Sequence, residues 1–287
     1  MIYDCFAFFN ELDLLKIRLH ELNEVVDKFV LVEATRTFQK KEKPLYFNEN
    51  KHLFKEFESK IIHIIVDKYP TFWSKFRIPT TWDYDDHQKE QILLGLKSCK
   101  DNDVIIVSDL DEIPRAEYVK KYAYTEGVKV FRQYQAYYFV NNVCRKIHDY
   151  GGEAKAQFNT DGFGWWQGSV MLSYEIFRKS IKTIEKARLQ RDLPEPAVKI
   201  LKEAGWHFSY MGGIEKIIQK LGAWAHKEYN TPENRNPERI EKIIRNGSSL
   251  FNPDERYELV DIEQTEIPFP SYLKNHLKEF EHLLLKP

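Results

Sequence analysis

One stretch decides the fold of this chain: residues 104–114, which read VIIVSDLDEIP. Its first four residues are apolar and β-branched without alternation, which is typical of a strand covered on both faces in a parallel sheet. Three carboxylates, Asp109, Asp111 and Glu112, follow where this strand ends. Ligands of open α/β sheets bind beyond the carboxyl ends of the strands. The stretch therefore predicts an α/β fold with a binding site at these carboxylates.

Apolar runs on the N-terminal side of this stretch predict three further strands, at residues 2–9, 29–34 and 61–66. Between the first two, apolar residues recur at three- and four-residue steps from Leu12 to Val26, which indicates an amphipathic helix. Asn10 and Asp13 fit a capping box at its start. Strand, helix and strand in succession predict a mostly parallel central sheet flanked by helices, with residues 1–115 as a nucleotide-binding half.

The character of the sequence changes after about residue 115. Residues 128–175 are aromatic, glycine-rich and strand-like, and no repeat or clear linker separates them from the first half. Helical periodicity predicts four further helices, at about 88–100, 213–228, 236–246 and from 271 onward.

Composition narrows the classes of function. Lys and Arg number 43 against 44 Asp and Glu, so the formal net charge is −1. Nucleic acid is therefore not expected as a partner, because binding its phosphates needs a basic face. Aromatic residues make up 14% of the chain. Most are expected in the core, but exposed aromatic rings also stack on sugars.

No membrane span is expected, because no run reaches the roughly 18 consecutive apolar residues that a span needs. The N-terminal residues MIYDCFAFFNELD lack the basic start of a signal peptide. The cysteines Cys5, Cys99 and Cys144 are odd in number and widely spaced, so neither disulfides nor a zinc site is expected. These features predict a cytoplasmic location.

Asp109 and Asp111, two residues apart at the end of a strand, can face one cavity. Their hard oxygen ligands suit Mg²⁺ or Mn²⁺, which can bridge a diphosphate. Three carboxylates within four residues repel one another unless a cation offsets their charge. A metal site is therefore favoured over a solvated turn that ends at Pro114.

The Asp-x-Asp pattern is weak by itself, because it occurs three times, at residues 83–85, 101–103 and 109–111. Position separates the three. Residues 101–103 precede the predicted strand, at its wrong end, and residues 83–85 are predicted in an aromatic loop. Only residues 109–111 terminate a buried strand.

Four motifs occur in a defined order between residue 3 and residue 229: YDCFAFFNELDLLKIRLHEL, FVLVEATRTFQKKEKPLYF, VIIVSDLDEIP, and AGWHFSYMGG followed by KLGAWAHKEY. In this order they resemble the family 17 glycosyltransferases. The resemblance implies a GT-A-like fold and an inverting transfer of a sugar to a glycan hydroxyl. It also implies a UDP-sugar donor, with UDP-GlcNAc expected, and Mn²⁺ or Mg²⁺ as the cofactor.

With this resemblance, residues 1–115 become the nucleotide-sugar-binding α/β half. Residues 116–287 become an acceptor-side α+β half with C-terminal helices, within one continuous catalytic domain. Where an arginine is expected in the helix before the acidic strand, the chain has Lys89, which is assigned to the donor phosphates. The family's animal members are membrane-anchored Golgi proteins, whereas no anchor is expected here, so the acceptor need not be an N-glycan.

Two further positions are candidates for donor or metal binding. Glu33 and Arg36 follow the second strand, and they are predicted to bind the uracil or ribose and a phosphate, respectively. An ion pair that closes a loop is the equal alternative. His207, in GWHFSY, is a candidate third metal ligand, a role that the resemblance favours over that of a core histidine.

An inverting transfer needs a general base to deprotonate the attacking hydroxyl. Asp161, in FNTDGFGWWQGS, is predicted to be that base, with Glu112 and Glu153 in reserve. A turn residue is the alternative for Asp161. Trp165 and Trp166 are predicted to stack on sugars.

Two other classes of function remain open. A metal-dependent phosphoester hydrolase also uses carboxylates at strand ends, but it usually needs more metal ligands than this chain offers. A non-catalytic sugar-binding module would not need the acidic triplet.

Overall fold

The structure is a computed structural model that describes residues 1–71, 76–146, 164–252 and 255–286. Within these ranges the strands form an 11-stranded sheet. They are β1 (Ile2–Phe8), β2 (Lys28–Ala34), β3 (Ile61–Val66), β4 (Val104–Asp109), β5 (Glu112–Pro114), β6 (Lys129–Tyr137), β7 (Asn142–Lys146), β8 (Trp165–Ser173), β9 (Lys199–Leu201), β10 (Gly205–Ser209) and β11 (Arg256–Leu259).

The α-helices are short, and all but the last lie between strands in the chain. They are α1 (Leu12–Leu22), α2 (Tyr46–Glu49), α3 (Thr81–Glu90), α4 (Ile92–Gly95), α5 (Ala116–Tyr122), α6 (Tyr174–Ile176), α7 (Ile184–Leu189), α8 (Gly213–Leu221), α9 (Pro237–Arg245) and α10 (Ser271–Asn275). A π-helical turn at Phe177–Ile181 and 3-10 turns, of which Gln190–Asp192 and Lys227–Tyr229 lie nearest the site, complete the helical structure. Along the described ranges, no helix is both long and apolar enough to cross a membrane.

The sheet runs in the order β11-β7-β6-β8-β4-β1-β2-β3, with β10 beside β5 and β6, and β9 beside β6. Strands β3, β2, β1 and β4 are parallel, which confirms the α/β arrangement predicted for the first half. The prediction that the sheet is mostly parallel is wrong beyond β4, because β8 is antiparallel to both β4 and β6. The connection from β6 to β7 is only a few residues long, and such a link permits antiparallel pairing alone.

Helices cover both faces of the parallel strands. On one face, Phe6 and Ile106 pack in a cluster with Leu15 and Leu19 of α1. On the other face, alternate residues of the same strands pack with Ile92 of α4 and with residues of α7. This double coverage explains why β1, β2 and β4 are mostly apolar without a regular alternation of apolar and polar residues.

The capping box predicted at the start of α1 is wrong. The N-cap residue is Glu11 without a side-chain cap, and the Asn10 amide instead donates to Gln219, 2.8 Å away. A capping box forms farther along the chain, where the Thr80 hydroxyl and the Asp83 carboxylate start α3. The segment predicted as a loop around residues 83–85 is therefore helical.

The observed bounds of two of the predicted helices differ from the prediction, and those of a third agree with it. The helix predicted at 88–100 consists of the end of α3 and the single turn α4. The helix predicted at 213–228 ends at Leu221, before Gly222, and a separate 3-10 turn follows at Lys227–Tyr229. The helix predicted at 236–246 is confirmed as α9, with the Asn236 side chain as its cap and Pro237 in its first turn.

Candidate functional site

A cleft of about 330 Å³ opens at the carboxyl ends of β1, β2 and β4. Phe9 and Arg36 line it after β1 and β2, and Asp109 and Asp111 line it after β4. Side chains of β8, β10, α3 and α8 complete its wall. The sheet therefore places the acidic stretch where ligands of open α/β sheets bind.

Arg18 of α1 binds the turn after β4 that carries the acidic residues, here called the acidic turn. Its guanidinium is fully buried and donates to both carboxylate oxygens of Asp4, at 2.6 and 2.8 Å. It also donates to the Ser108 hydroxyl at 2.6 Å. One further nitrogen reaches three carbonyl oxygens at 2.9–3.0 Å, those of Asp109, Leu110 and Glu112. The turn that carries the carboxylates is thus fixed by a single buried cation.

Asp109 is paired with cations from two helices. Its carboxylate accepts a hydrogen bond from Arg188 of α7 at 2.5 Å and lies 3.7 Å from the ammonium of Lys89 of α3. Burial would raise the pKa of the Asp109 carboxyl, but the charges of Arg188, Lys89 and Arg191 hold it well below its usual range. Lys89 therefore lines the cleft beside Asp109, and it also donates to Asp85 at 2.7 Å.

Asp111 lies between a lysine and a histidine. Its Oδ2 accepts a hydrogen bond from the Lys220 ammonium at 2.9 Å, and its Oδ1 lies 3.9 Å from His207 Nε2. Lys220 belongs to α8 and also lies 3.5 Å from Glu11. Burial would lower the pKa of Lys220, but Asp111 and Glu11 raise it above its usual value, so this ammonium stays charged.

His207 is buried in β10 and still lines the cleft. Its ring stacks on the indole of Trp166, with centroids 4.7 Å apart and planes 24° from parallel. Burial lowers the pKa of His207, so its imidazole is neutral near pH 7. Nδ1 finds no hydrogen-bond partner among the described residues. A neutral ring with Nε2 toward Asp111 has the form that a metal ligand requires.

Glu112 is buried, and both of its carboxylate oxygens accept hydrogen bonds. Oε1 accepts from the indole of Trp166 at 2.8 Å and from Arg191 at 3.0 Å, and Oε2 accepts from the Asp109 amide at 3.0 Å. Such a carboxylate braces the turn and is poorly placed to remove a proton from an acceptor. Trp165, predicted to stack on sugars, is instead buried against Tyr134.

The remaining predicted residues fall in three different places. Glu33 is buried and outside the cleft lining, where it accepts hydrogen bonds from the amides at the start of α2 and from His63. Its contacts are those of the alternative role, an interaction that closes a loop. Arg36 lines the cleft and pairs with Glu42 at 3.6 Å. Asp161 and Glu153 lie outside the described residues.

Four cations at the site, Arg18, Arg188, Arg191 and Lys220, were missed by sequence reasoning. A signal existed for Arg18, because it shares one face of α1 with Leu15 and Leu22 at three- and four-residue steps. A charged residue on an apolar helix face needs a buried partner. Arg188, Arg191 and Lys220 read as ordinary charges of surface helices, and no local pattern distinguishes them.

All three predicted metal ligands, Asp109, Asp111 and His207, line the cleft. Asp109 faces Arg188 and Lys89, so the arrangement fits a divalent cation with two protein ligands, Asp111 and His207. The described ranges contain no group of three His, Cys, Asp or Glu residues placed to hold a metal. Asp111 Oδ1 and His207 Nε2, however, lie 3.9 Å apart, so one ion could bind both at bond lengths of about 2.1 Å. The other ligands of such an ion would be substrate phosphates and water, as is common for Mg²⁺.

Comparison with known proteins shows a family likeness. Residues 1–140 match the family model of glycosyltransferase family 17. The chain is also 25% identical, over 97% of its length, to a β-1,4-mannosyl-glycoprotein 4-β-N-acetylglucosaminyltransferase of Rattus norvegicus and to that of Homo sapiens. It covers 53% and 54% of these proteins, so the chain spans about half the length of the curated relatives it matches. The resemblance predicted from the four motifs is confirmed.

Among solved structures, HddC from Yersinia pseudotuberculosis can be superposed on this chain, and the match covers 70% of this chain and 89% of the HddC chain. The sequence identity is 13% and the TM-score 0.38, which is too low to assign a shared fold. The protein has a mixed α/β fold with a large central sheet and flanking helices.

Proposed function

We propose that the chain is an inverting glycosyltransferase with a GT-A-like fold. It transfers a sugar, with UDP-GlcNAc as the expected donor, to a glycan hydroxyl with the help of Mn²⁺ or Mg²⁺. The observation that carries this proposal is the cleft at the strand ends, where Asp111 and His207 face one another beside Lys220 and Arg188. Carboxylate and imidazole suit a divalent cation, and the basic side chains suit a diphosphate. The activity of the N-acetylglucosaminyltransferase relatives supports this choice.

In the proposed reaction the chain's own residues bind and orient the donor. The parallel strands and the residues that follow them, including Phe9 and Arg36, offer the nucleoside a position at one end of the cleft. Lys220 and Arg188 supply positive charge where the diphosphate departs. When bound, the cation neutralises further charge on the leaving group. Trp166 of β8 and Tyr137 of β6 also line the cleft, and they are left for the transferred sugar and the acceptor.

The proposal is tested by measuring UDP release from a panel of UDP-sugars with and without Mn²⁺, and with glycan acceptors. Asp111→Asn is expected to abolish metal-dependent UDP binding while the protein stays folded. Asp101→Asn is the matched control, because Asp101 belongs to another Asp-x-Asp pair and binds Arg178 at the surface. Release of phosphate from phosphoesters, or sugar binding without UDP release, would instead favour the hydrolase or the binding module.

The general base is proposed from the sequence alone. Because the Glu112 carboxylate is already occupied, Asp161 comes first and Glu153 second. Loss of a base removes an interaction made during chemistry, so Asp161→Asn should lower turnover by roughly 10²–10⁴-fold with donor affinity nearly intact. Transfer rates and UDP-sugar affinities of Asp161→Asn, Glu153→Gln and Glu112→Gln decide the assignment. Normal turnover in Asp161→Asn, with collapse in Glu153→Gln, would move the base to Glu153.

A further inference from the structure

The carboxylate proposed as the cation ligand is already neutralised by an internal cation. Lys220 Nζ lies 2.9 Å from Asp111 Oδ2, and only 20% of the lysine side chain is exposed. Glu11, 3.5 Å away, and the Tyr210 ring, 5.2 Å away, hold the same ammonium. The Lys220 ammonium therefore lies beside the proposed cation site, where its positive charge could also bind the donor diphosphate.

A divalent cation at Asp111 and His207 would have to share the carboxylate with this ammonium. His207 Nε2 approaches Oδ1 while Lys220 binds Oδ2, so the two oxygens of one carboxylate face two separate partners. Like charges that are so close in a partly buried site disfavour each other. Only two protein ligands are available as well, so we expect a cation alone to bind weakly.

A bound diphosphate would relieve both the repulsion between the cation and Lys220 and the shortage of protein ligands. Its oxygens complete the coordination of the cation, and they offer the Lys220 ammonium an acceptor in place of Asp111. A lysine suits this exchange, because its compact ammonium is carried on a flexible four-carbon stem. The Asp111 carboxylate is then free for the cation.

We propose that Lys220 is an exchangeable counter-ion that pairs with Asp111 in the empty protein and with the donor diphosphate in the complex. This inference rests on the proposed function and adds to it a positioning residue that makes cation and nucleotide binding interdependent. By thermodynamic linkage, UDP must raise the affinity for Mn²⁺ by the same factor as Mn²⁺ raises the affinity for UDP.

The test is the binding of Mn²⁺ and UDP, separately and together, measured by calorimetry and by the electron paramagnetic resonance signal of free Mn²⁺. In the unmodified protein each ligand should tighten the other at least about tenfold, within the usual range of such coupling. Lys220→Met removes the competitor and also the phosphate partner. Its affinity for Mn²⁺ alone should rise several-fold, whereas its affinity for UDP at saturating Mn²⁺ should fall about tenfold.

Controls separate this exchange from a general loss of charge. Lys216→Met removes an exposed lysine of the same helix that does not line the cleft, and it should change neither affinity. Lys220→Arg keeps the charge and should keep most of the coupling. If Lys220→Met fails to fold, Lys220→Gln, with a polar side chain, takes its place in the same measurements.

The outcomes distinguish this inference from the proposed function. Lys220→Met with unchanged or weaker binding of Mn²⁺ alone would overturn the exchange and leave the glycosyltransferase proposal standing. Independent binding of Mn²⁺ and UDP by the unmodified protein would overturn the exchange and also the metal dependence of donor binding, but not the transfer of a sugar itself. If that protein binds no Mn²⁺ even with UDP, the metal-dependent function and the exchange are both overturned.

Discussion

At the scale of single residues, the position of the cleft carboxylates depends on Arg18. Its buried guanidinium joins β1, through Asp4, to the carbonyl oxygens of the turn after β4. An apolar side chain in its place would leave those carbonyl groups and Asp4 without their donor. The cost of an unpaired buried charge is among the largest that a single substitution causes.

We expect Arg18→Met to lower the free energy of unfolding by about 3–5 kcal/mol, because Asp4 becomes a buried charge without its partner. Urea denaturation measures the change. Arg178→Met is the control, since Arg178 pairs with Asp101 at the surface, where an ion pair contributes little to stability. Adding Asp4→Met to Arg18→Met should recover part of the loss. Equal effects of Arg18→Met and Arg178→Met would contradict the structural role of Arg18.

At the scale of elements, the site depends on how β10 lies against β5. The two strands are antiparallel, with His207 opposite Glu112 and Gly205 opposite Pro114. This register places His207 beside Asp111, which directly precedes β5. Close approach of the strands is possible because residue 205 has no side chain. A Cβ atom there would lie 2.3 Å from the carbonyl oxygen of Ile113.

Gly205→Ala should therefore separate β10 from β5, lower the free energy of unfolding by about 1–3 kcal/mol, and weaken Mn²⁺ binding in the presence of UDP. Gly222→Ala is the matched control, because its Cβ would meet its nearest neighbour at an ordinary 3.5 Å. Thermal unfolding and Mn²⁺ titration measure both variants. A Gly205→Ala protein with unchanged stability and Mn²⁺ affinity would show that the strands tolerate the extra atom.

A second prediction at this scale concerns Asp86 of helix α3 and the pH dependence of the protein's stability. Burial raises the pKa of Asp86 to about 6, and repulsion from Glu185 and Asp85 adds to the effect, against the attraction of Lys89. In the unfolded chain an aspartate has a pKa of about 3.9. The folded protein therefore binds the Asp86 proton more tightly than the unfolded chain does. The stability that this protonation contributes at low pH is lost as pH rises through about 6.

Asp86→Asn should thus be more stable than the unmodified protein at pH 7, by about 1 kcal/mol after allowance for solvent screening of this half-exposed group. The difference should vanish below about pH 3, where aspartate is protonated in both states. Urea denaturation at several pH values measures it. Asp101→Asn is the control with the opposite sign, because Arg178 lowers the pKa of Asp101. A difference that is independent of pH would exclude Asp86 as its source.

At the scale of the whole molecule, one sheet joins the two halves of the sequence. Strand β8 pairs with β4 on one side and with β6 on the other, so hydrogen bonds cross the boundary at residue 115. The site crosses it too, because Asp109 and Asp111 come from the first half, whereas Arg188, His207 and Lys220 come from the second.

A fragment of residues 1–115 should therefore fail to fold by itself. It would leave β4 as an open apolar edge, without β8 and without the α7 residues that cover the sheet. The full chain should instead unfold in one cooperative transition. Circular dichroism during thermal unfolding, applied to the fragment and to the full chain, tests both statements. A cooperative transition in the fragment would show that the first half is an independent domain.

The sequence by itself determined the strands and α1 of the first half and the position of the acidic turn at a strand end. These features follow from the spacing of apolar residues along a few turns of chain, which is a local property. The sequence did not determine, however, where each polar side chain points. Glu33 lies near the carboxyl end of β2, yet its carboxylate binds the start of α2 instead of facing the cleft.

Only the tertiary structure decided which charges meet at the cleft. The cations that contact the acidic turn come from distant parts of the chain: Arg18 lies 91 residues from Asp109, Arg188 lies 79 residues from Asp109, and Lys220 lies 109 residues from Asp111. Their sequence neighbourhoods are those of ordinary helices. A long-range ion pair leaves no local pattern, because its geometry is set by how the elements pack and not by the residues that flank each charge.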